Sequence, residues 1–228
     1  MPDALARVRN EWCARIAAEY TSAAITQQVV LWLMQAAGPP DLIDAGLAIV
    51  ADELVHSRMS SDVYVAAGGS APPALDRDAL GLPRRQPSVE LDLADAIVRV
   101  FCLGETVAVP LFAHLRERCT EPCARAALDR ILVDEVRHRE FGWDTFDWLL
   151  SRFDAAGFLA PRLPAMLDEL HHSYGAANPA IADDSGEITD LERSWGIAPP
   201  REYAEILART IEKDYGPRFE ARGVVIQV

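Results

Sequence analysis

The sequence predicts an all-α fold: a four-helix bundle with one long crossover connection and a helical C-terminal extension. Three observations lead there. Four long stretches carry apolar residues at helical spacing. The connections between them run short, long, short. Two of the four stretches repeat one pattern, Asp-Glu-x-x-His, in ADELVH at 51–56 and VDEVRH at 133–138.

The first helix is expected from about Asp3 to Gln35, with Ile16, Tyr20, Ala23, Val30 and Leu33 at helical spacing. Gly38-Pro39-Pro40 ends it, because Gly suits a helix C-terminus and Pro cannot continue a helix. The second helix then extends to about Ala66, and so short a connection sets the pair antiparallel. Residues 68–87, GGSAPPALDRDALGLPRRQP, are rich in Gly and Pro and lack periodicity, the mark of a long surface connection. A crossover along the length of a bundle accounts for a loop of that size. Ser88 is a good N-cap for a third helix running to about Arg118. Pro110 within it removes a backbone hydrogen bond, which predicts a kink or local bulge. Thr120-Glu121-Pro122 reads as a turn with Pro in the first turn of the fourth helix, which extends to about Phe153. Short, long, short is the connectivity of bundles with a single crossover. Beyond Asp154 the sequence suggests a short helix over 161–173, an irregular acidic loop over 176–190, and a helix over 200–214 after Pro199-Pro200. This tail is too poor in apolar residues for a core of its own. Residues 157–228 are therefore expected to pack as an extension on a bundle formed by residues 1–156.

Half of the 228 residues are hydrophobic, enough for one well-buried domain. The formal charge of −13 disfavours nucleic acid and anionic membrane as partners, since both repel an acidic surface. The N-terminal MPDALARVRNEWC has no apolar signal region, and the apolar run Val29–Met34 is too short to span a bilayer. A soluble, cytoplasmic protein is expected. Cys13, Cys102, Cys119 and Cys123 form no disulfide framework and are expected as thiols.

Residues three apart share a helix face, so Glu53 points with His56 and Glu135 with His138. Two such pairs supply four metal ligands, and a dinuclear site needs about two more carboxylates. The third helix offers Glu105 in the apolar stretch VFCLGETV, where a lone carboxylate is costly to bury unless paired or metal-bound. The first helix offers Glu19. Depth along the helices tests both choices. Glu105 lies 15 residues before Thr120 and Glu135 lies 15 after it, so the two are level. Glu19 lies 19 residues before Gly38 and Glu53 lies 15 after it, a mismatch of about one turn. Glu11 would sit two further turns away. One Glu from each of two helices and one Glu-x-x-His from each of the other two is the arrangement of di-iron and di-manganese carboxylate bundles. Asp52 and Asp134, each four residues before a ligand histidine, are placed to accept the second ring N–H of their own or the opposite imidazole.

Over residues 8–153, AAEYTSAA, DELVH, GETVA and DEVRHREFGW resemble the ferritin-like superfamily, and in it the bacterial proteins of the rubrerythrin and di-iron oxygenase kind. The resemblance implies a ferritin-like bundle with metal ligands at Glu19, Glu53, His56, Glu105, Glu135 and His138. It also implies two iron ions, with manganese as the alternative, and catalysis at those six residues. The activity it suggests is that of an O₂-dependent di-iron oxidoreductase: an oxygenase, hydroxylase or N-oxygenase acting on a small organic substrate. Electrons would come from a separate ferredoxin or reductase, since no GxGxxG fingerprint for flavin or nicotinamide is present. A homodimer through an exposed helix face fits such a bundle.

Other readings compete. Peroxide detoxification of the rubrerythrin or manganese-catalase kind, or ferroxidase activity, uses the same ligands. Ala108 stands where rubrerythrins carry a further Glu, and Cys119-x-x-x-Cys123 lacks the second cysteine pair of a rubredoxin-type module. A metal-free helical interaction protein would have to leave acids and imidazoles facing a core without compensation. His114, His171 and His172 read as surface or boundary residues, Cys102, Trp12, Trp143 and Tyr20 as packing residues, and Glu140 as a surface charge.

Overall fold

The computed structural model describes residues 4–71, 73–174 and 187–225, and these are helices and their connections, with no strand among the described residues. α1 spans Ala6–Gln35 and α2 spans Pro40–Ala66; the predicted start at Asp3 lies outside the described residues. Ala37, at φ 55°, takes the left-handed position that closes α1, and Gly38 N–H donates to Leu33 O across 2.8 Å. Sequence alone had assigned that role to Gly38. α2 begins with Pro40 in its first turn and closes the same way, with Gly68 at φ 89° and Gly69 N–H on Tyr64 O. Arg9 at the start of α1 reaches Ala67 O at the end of α2, and Ser57 Oγ donates to Ile16 O, so the pair is antiparallel.

In the long connection the only helical turn among the described residues is a 3₁₀ turn at Asp78–Leu80, with Pro72 outside them. The connection ends on Asp92, whose carboxylate accepts from the Arg85 and Gln86 amides and pairs with Arg84. α3, Val89–Glu117, starts at the Ser88 cap, whose hydroxyl accepts from Leu91 N–H. It is α-helical to Ala96, a π-helix over Ile97–Glu105, and α-helical again over Thr106–Glu117. Pro110, where a kink or bulge is expected, lies inside the α-helical part, and the π stretch is N-terminal to it. There the α3 backbone presses closest to the next helix: a Cβ built on Gly142 would stand 2.4 Å from Phe101 Cβ. By length and composition α3 is also the one described helix apolar enough to cross a membrane, and 56% of its most apolar window is buried inside the protein.

α4 covers Pro122–Leu150 and ends three residues before the predicted Phe153, as Asp154 turns to cap α5, Ala155–Leu159. α6 is Leu163–Tyr174. Of the acidic loop predicted over 176–190, residues 176–186 lie outside the described residues. Its end departs from expectation: Thr189 and Glu192 form a reciprocal capping box that starts α7, Asp190–Ser194. α8, Pro200–Thr210, passes through a π turn, Ile211–Tyr215, into α9, Gly216–Glu220.

Two compact units result. The first joins the chain up to Pro83 with Phe112–Asp134 and Ile188–Ala198. In it Trp12, fully buried, donates its indole N–H to Trp195 O, Arg7 pairs with Glu192, and the Thr120 and Glu121 amides donate to Ser194 O. The second joins Arg84–Leu111, Glu135–Glu187 and the chain from Pro199 onward. Its core stacks Phe101 edge-on to Phe141 and Phe219 edge-on to Trp143, both at 4.9 Å between centroids. In both units the segments that follow α4 thus pack against the long helices.

Candidate metal centre

In the first unit the antiparallel pair sets Glu19 of α1 beside the Glu-x-x-His face of α2. His56 Nδ1 lies 3.7 Å from a Glu19 oxygen and 3.7 Å from a Glu53 oxygen. The ligand atoms of all three residues fall within 4.8 Å of one another. Ligand atoms at about 2.0–2.2 Å from a shared ion stand at separations of this order. The one-turn mismatch expected between Glu19 and Glu53 does not separate them: Glu19 lies near both Glu53 and His56.

The other edge of the imidazole is equally defined. His56 Nε2 lies 3.0 Å from Asp134 Oδ2. A carboxylate only accepts, so Nε2 carries a proton, and Nδ1 faces Glu19 and Glu53. Asp134 belongs to α4 and is 1% exposed, and Arg130, four residues earlier, pairs with the same carboxylate oxygen. Arg130 also donates to Asp52 Oδ1 at 2.8 Å, bridging the two aspartates of the repeated motif. The position proposed for Asp134 from sequence is thus occupied as expected, toward the opposite histidine. Arg130 was missed, although its spacing from Asp134 was there to read.

Electrostatics within this group are strongly coupled. Burial raises the Glu19 carboxyl to about 7, against the lowering effect of the His56 hydrogen bond and with the Glu53 charge adding to the rise. For His56, burial works to lower the pKa, but the facing carboxylates of Glu19 and Glu53 outweigh it and push the value to about 11. The apo cluster therefore holds protons at neutral pH in the place where a cation would sit.

In the second unit Glu105 of α3 meets the Glu-x-x-His face of α4. His138 Nδ1 lies 3.6 Å from a Glu135 oxygen, and ligand atoms of Glu105 and His138 fall within 4.8 Å. Glu105 is half-buried, whereas Glu135 is 2% and His138 0% exposed. Trp143, five residues on from His138, donates its indole N–H to Thr106 Oγ1 at 3.0 Å, next to Glu105.

In the first unit two carboxylates thus face His56 Nδ1, in the second Glu105 and Glu135 each lie near His138, and the helical protein carries buried Glu and His residues that could bind metal. Oxygen and imidazole donors without thiolate suit iron or manganese better than soft metals. All four cysteines are free, as expected. Cys102 is fully buried, three residues before Glu105, and burial holds its thiol well above the usual range. His171 and His172 are exposed, His114 is half-buried, and Tyr20 is 40% exposed, so sequence reasoning placed Tyr20 too deep. A cavity of about 150 Å³ lies in the second unit between the π stretch and α6, lined by Arg99, Leu103, Met166, Glu169, Leu170 and Ser173, and none of the six ligand candidates borders it. Comparison with protein-family models, with curated proteins and with solved structures finds no match to this chain.

Proposed function

We propose that Glu19, Glu53, His56, Glu105, Glu135 and His138 are iron ligands in a ferritin-like bundle, and that the protein is an O₂-dependent oxidoreductase acting on a small organic substrate. The observation that carries the reading is the His56 cluster: a buried imidazole with Nε2 fixed by Asp134 and Nδ1 turned to two buried carboxylates. That is the form of a ligand set with its supporting shell. The two groups are chemically alike, and their motifs meet on one helix, where Asp134 supports one group and Glu135 belongs to the other.

Two ferrous ions, when bound, supply reducing equivalents for O₂. The chain's own residues do the rest. Glu19, Glu53, Glu105 and Glu135 balance the charge of the ions, and His56 and His138 add neutral nitrogen donors. Asp134 orients His56 and raises its basicity, and Arg130 holds Asp134 in place through an ion pair. The apolar residues of the π stretch, among them buried Phe101 and Cys102, limit water near Glu105. Electrons for turnover come from an external ferredoxin or reductase.

A metal-free interaction bundle is disfavoured on physical grounds, because it would bury Glu19, Glu53 and Glu135 at a desolvation cost that the single imidazole facing each group offsets only in part. Elemental analysis of protein purified without air and supplied with iron and manganese tests the proposal. About two iron ions per chain are expected, lost on Glu135→Ala. Manganese retained in preference to iron would redirect the reading to peroxide chemistry, and a folded protein with neither metal would sink it.

A further inference from the structure

The π-helical stretch of α3 ends on Glu105 itself, so the direction of this carboxylate is set by a backbone register that differs from an α-helix. A π stretch is uncommon and persists only where its surroundings fix it. Three contacts within the second unit do so. Gly142 of α4 admits the Phe101 backbone, Trp143 holds Thr106 on the far side of Glu105, and Tyr215 donates its hydroxyl to Leu103 O inside the π stretch. The last of these comes from the C-terminal segment and acts directly on the π backbone. The Leu103 carbonyl also accepts the Thr106 N–H, and the phenol occupies its second lone pair. Tyr215 is fully buried, and its segment is anchored on either side of the contact. Ile206 and Leu207 are buried on α8, Phe219 stacks on Trp143, and Arg222 forks onto Asp147 through 2.6 and 2.7 Å bonds.

We infer that Tyr215 is a positioning residue for the metal centre: its hydroxyl holds the π register of α3 so that Glu105 faces His138. The inference rests on the metal reading above. Without the hydroxyl, α3 can return toward α-helical register, and each residue of register change turns Glu105 by about 100° about the helix axis. Glu105 then leaves His138, although nothing at the centre has been mutated. The C-terminal segment thereby supports the site from a distance, through one hydrogen bond at Leu103.

Tyr215→Phe keeps the ring and its packing and removes only the donor. Cobalt(II) is a suitable probe, since its visible absorption reports ligand number and geometry. Titration of wild type, Tyr215→Phe and Ile206→Val is expected to show about tenfold weaker Co(II) binding and an altered spectrum for Tyr215→Phe alone. Ile206→Val, a packing change on the same segment, serves as the structural control and should keep the wild-type spectrum. Wild-type affinity and spectrum in Tyr215→Phe would overturn the inference and leave the metal reading intact. Failure of wild type to bind Co(II) would remove both. Amide exchange of the metal-free proteins gives a second measurement: faster exchange confined to residues 97–109 in Tyr215→Phe supports the role, and a uniform rise across the chain overturns it.

Discussion

His56 shows how neighbours confine a side chain to a single role. Its Nδ1 faces Glu19 and Glu53, its Nε2 faces Asp134, and Asp134 is in turn held by Arg130. Every step uses a group that can act in only one sense, as carboxylates accept and guanidinium donates. Asp134→Ala should therefore leave a folded helical protein that binds iron about 10–100-fold more weakly, the usual effect of losing an outer partner of a ligand histidine. Equilibrium metal titration alongside circular dichroism checks it, and unchanged affinity would refute the role. The two Asp-Glu-x-x-His motifs were legible in sequence because helical periodicity alone puts three-apart residues on one face. Arg130 was legible in principle from its spacing to Asp134. Its second bond, to Asp52, depends on where α2 and α4 lie in the first unit and no spacing reveals it.

At the scale of elements, α3 shows how a helix departs from the pattern that its sequence suggests. Pro110 predicts a kink, yet the register change lies at Ile97–Glu105, where Phe101 packs on Gly142. Gly in a helix interior costs about 0.5–1 kcal/mol relative to Ala, so by propensity alone Gly142→Ala would stabilise α4. Packing predicts the opposite. The added methyl would stand 2.4 Å from Phe101 Cβ and 2.9 Å from its carbonyl carbon, and backbone cannot move aside as a flexible side chain can. A loss of about 1–3 kcal/mol is expected, as for overpacked cores, and denaturant unfolding measures it. A stability gain would show that the π stretch yields freely. Capping signals were legible where they are local, as at Ser88; Thr189 and Glu192 also form such a signal, hidden in a stretch dominated by acidic and small residues.

For the whole molecule, the apo clusters make stability depend on pH in a direction that ordinary acidic proteins do not share. Glu19 is raised from 4.5 to about 7 and His56 from 6.5 to about 11, so over these windows the folded state holds protons that the unfolded chain releases. The Glu19 contribution is complete below about pH 4.5 and lost by about 7, and that of His56 is complete below about 6.5 and lost toward 11. The melting temperature of metal-free protein should accordingly fall as pH rises from 5 to 9. Bound metal replaces those protons, so loading should release them, raise the melting temperature, and flatten or reverse the slope. Thermal scans with and without chelator across that range decide it, and a metal-free melting temperature that climbs with pH would contradict the assignment.

The sequence by itself determined the helical class, the extent of the long helices to within a few residues, and the six Glu and His residues that cluster in the fold. Each of these follows from periodicity, capping and residue chemistry, which act within a turn or two of the chain. Only the tertiary structure decided which atoms meet: that Glu19 lies beside His56 and Glu105 near His138, that Asp134 serves His56, that α3 is π-helical up to Glu105, and that Tyr215, 112 residues on from Leu103, reaches its carbonyl. Those outcomes rest on loop geometry and on backbone contact between segments far apart in sequence, where a shift of one residue rotates a helical side chain by about 100°.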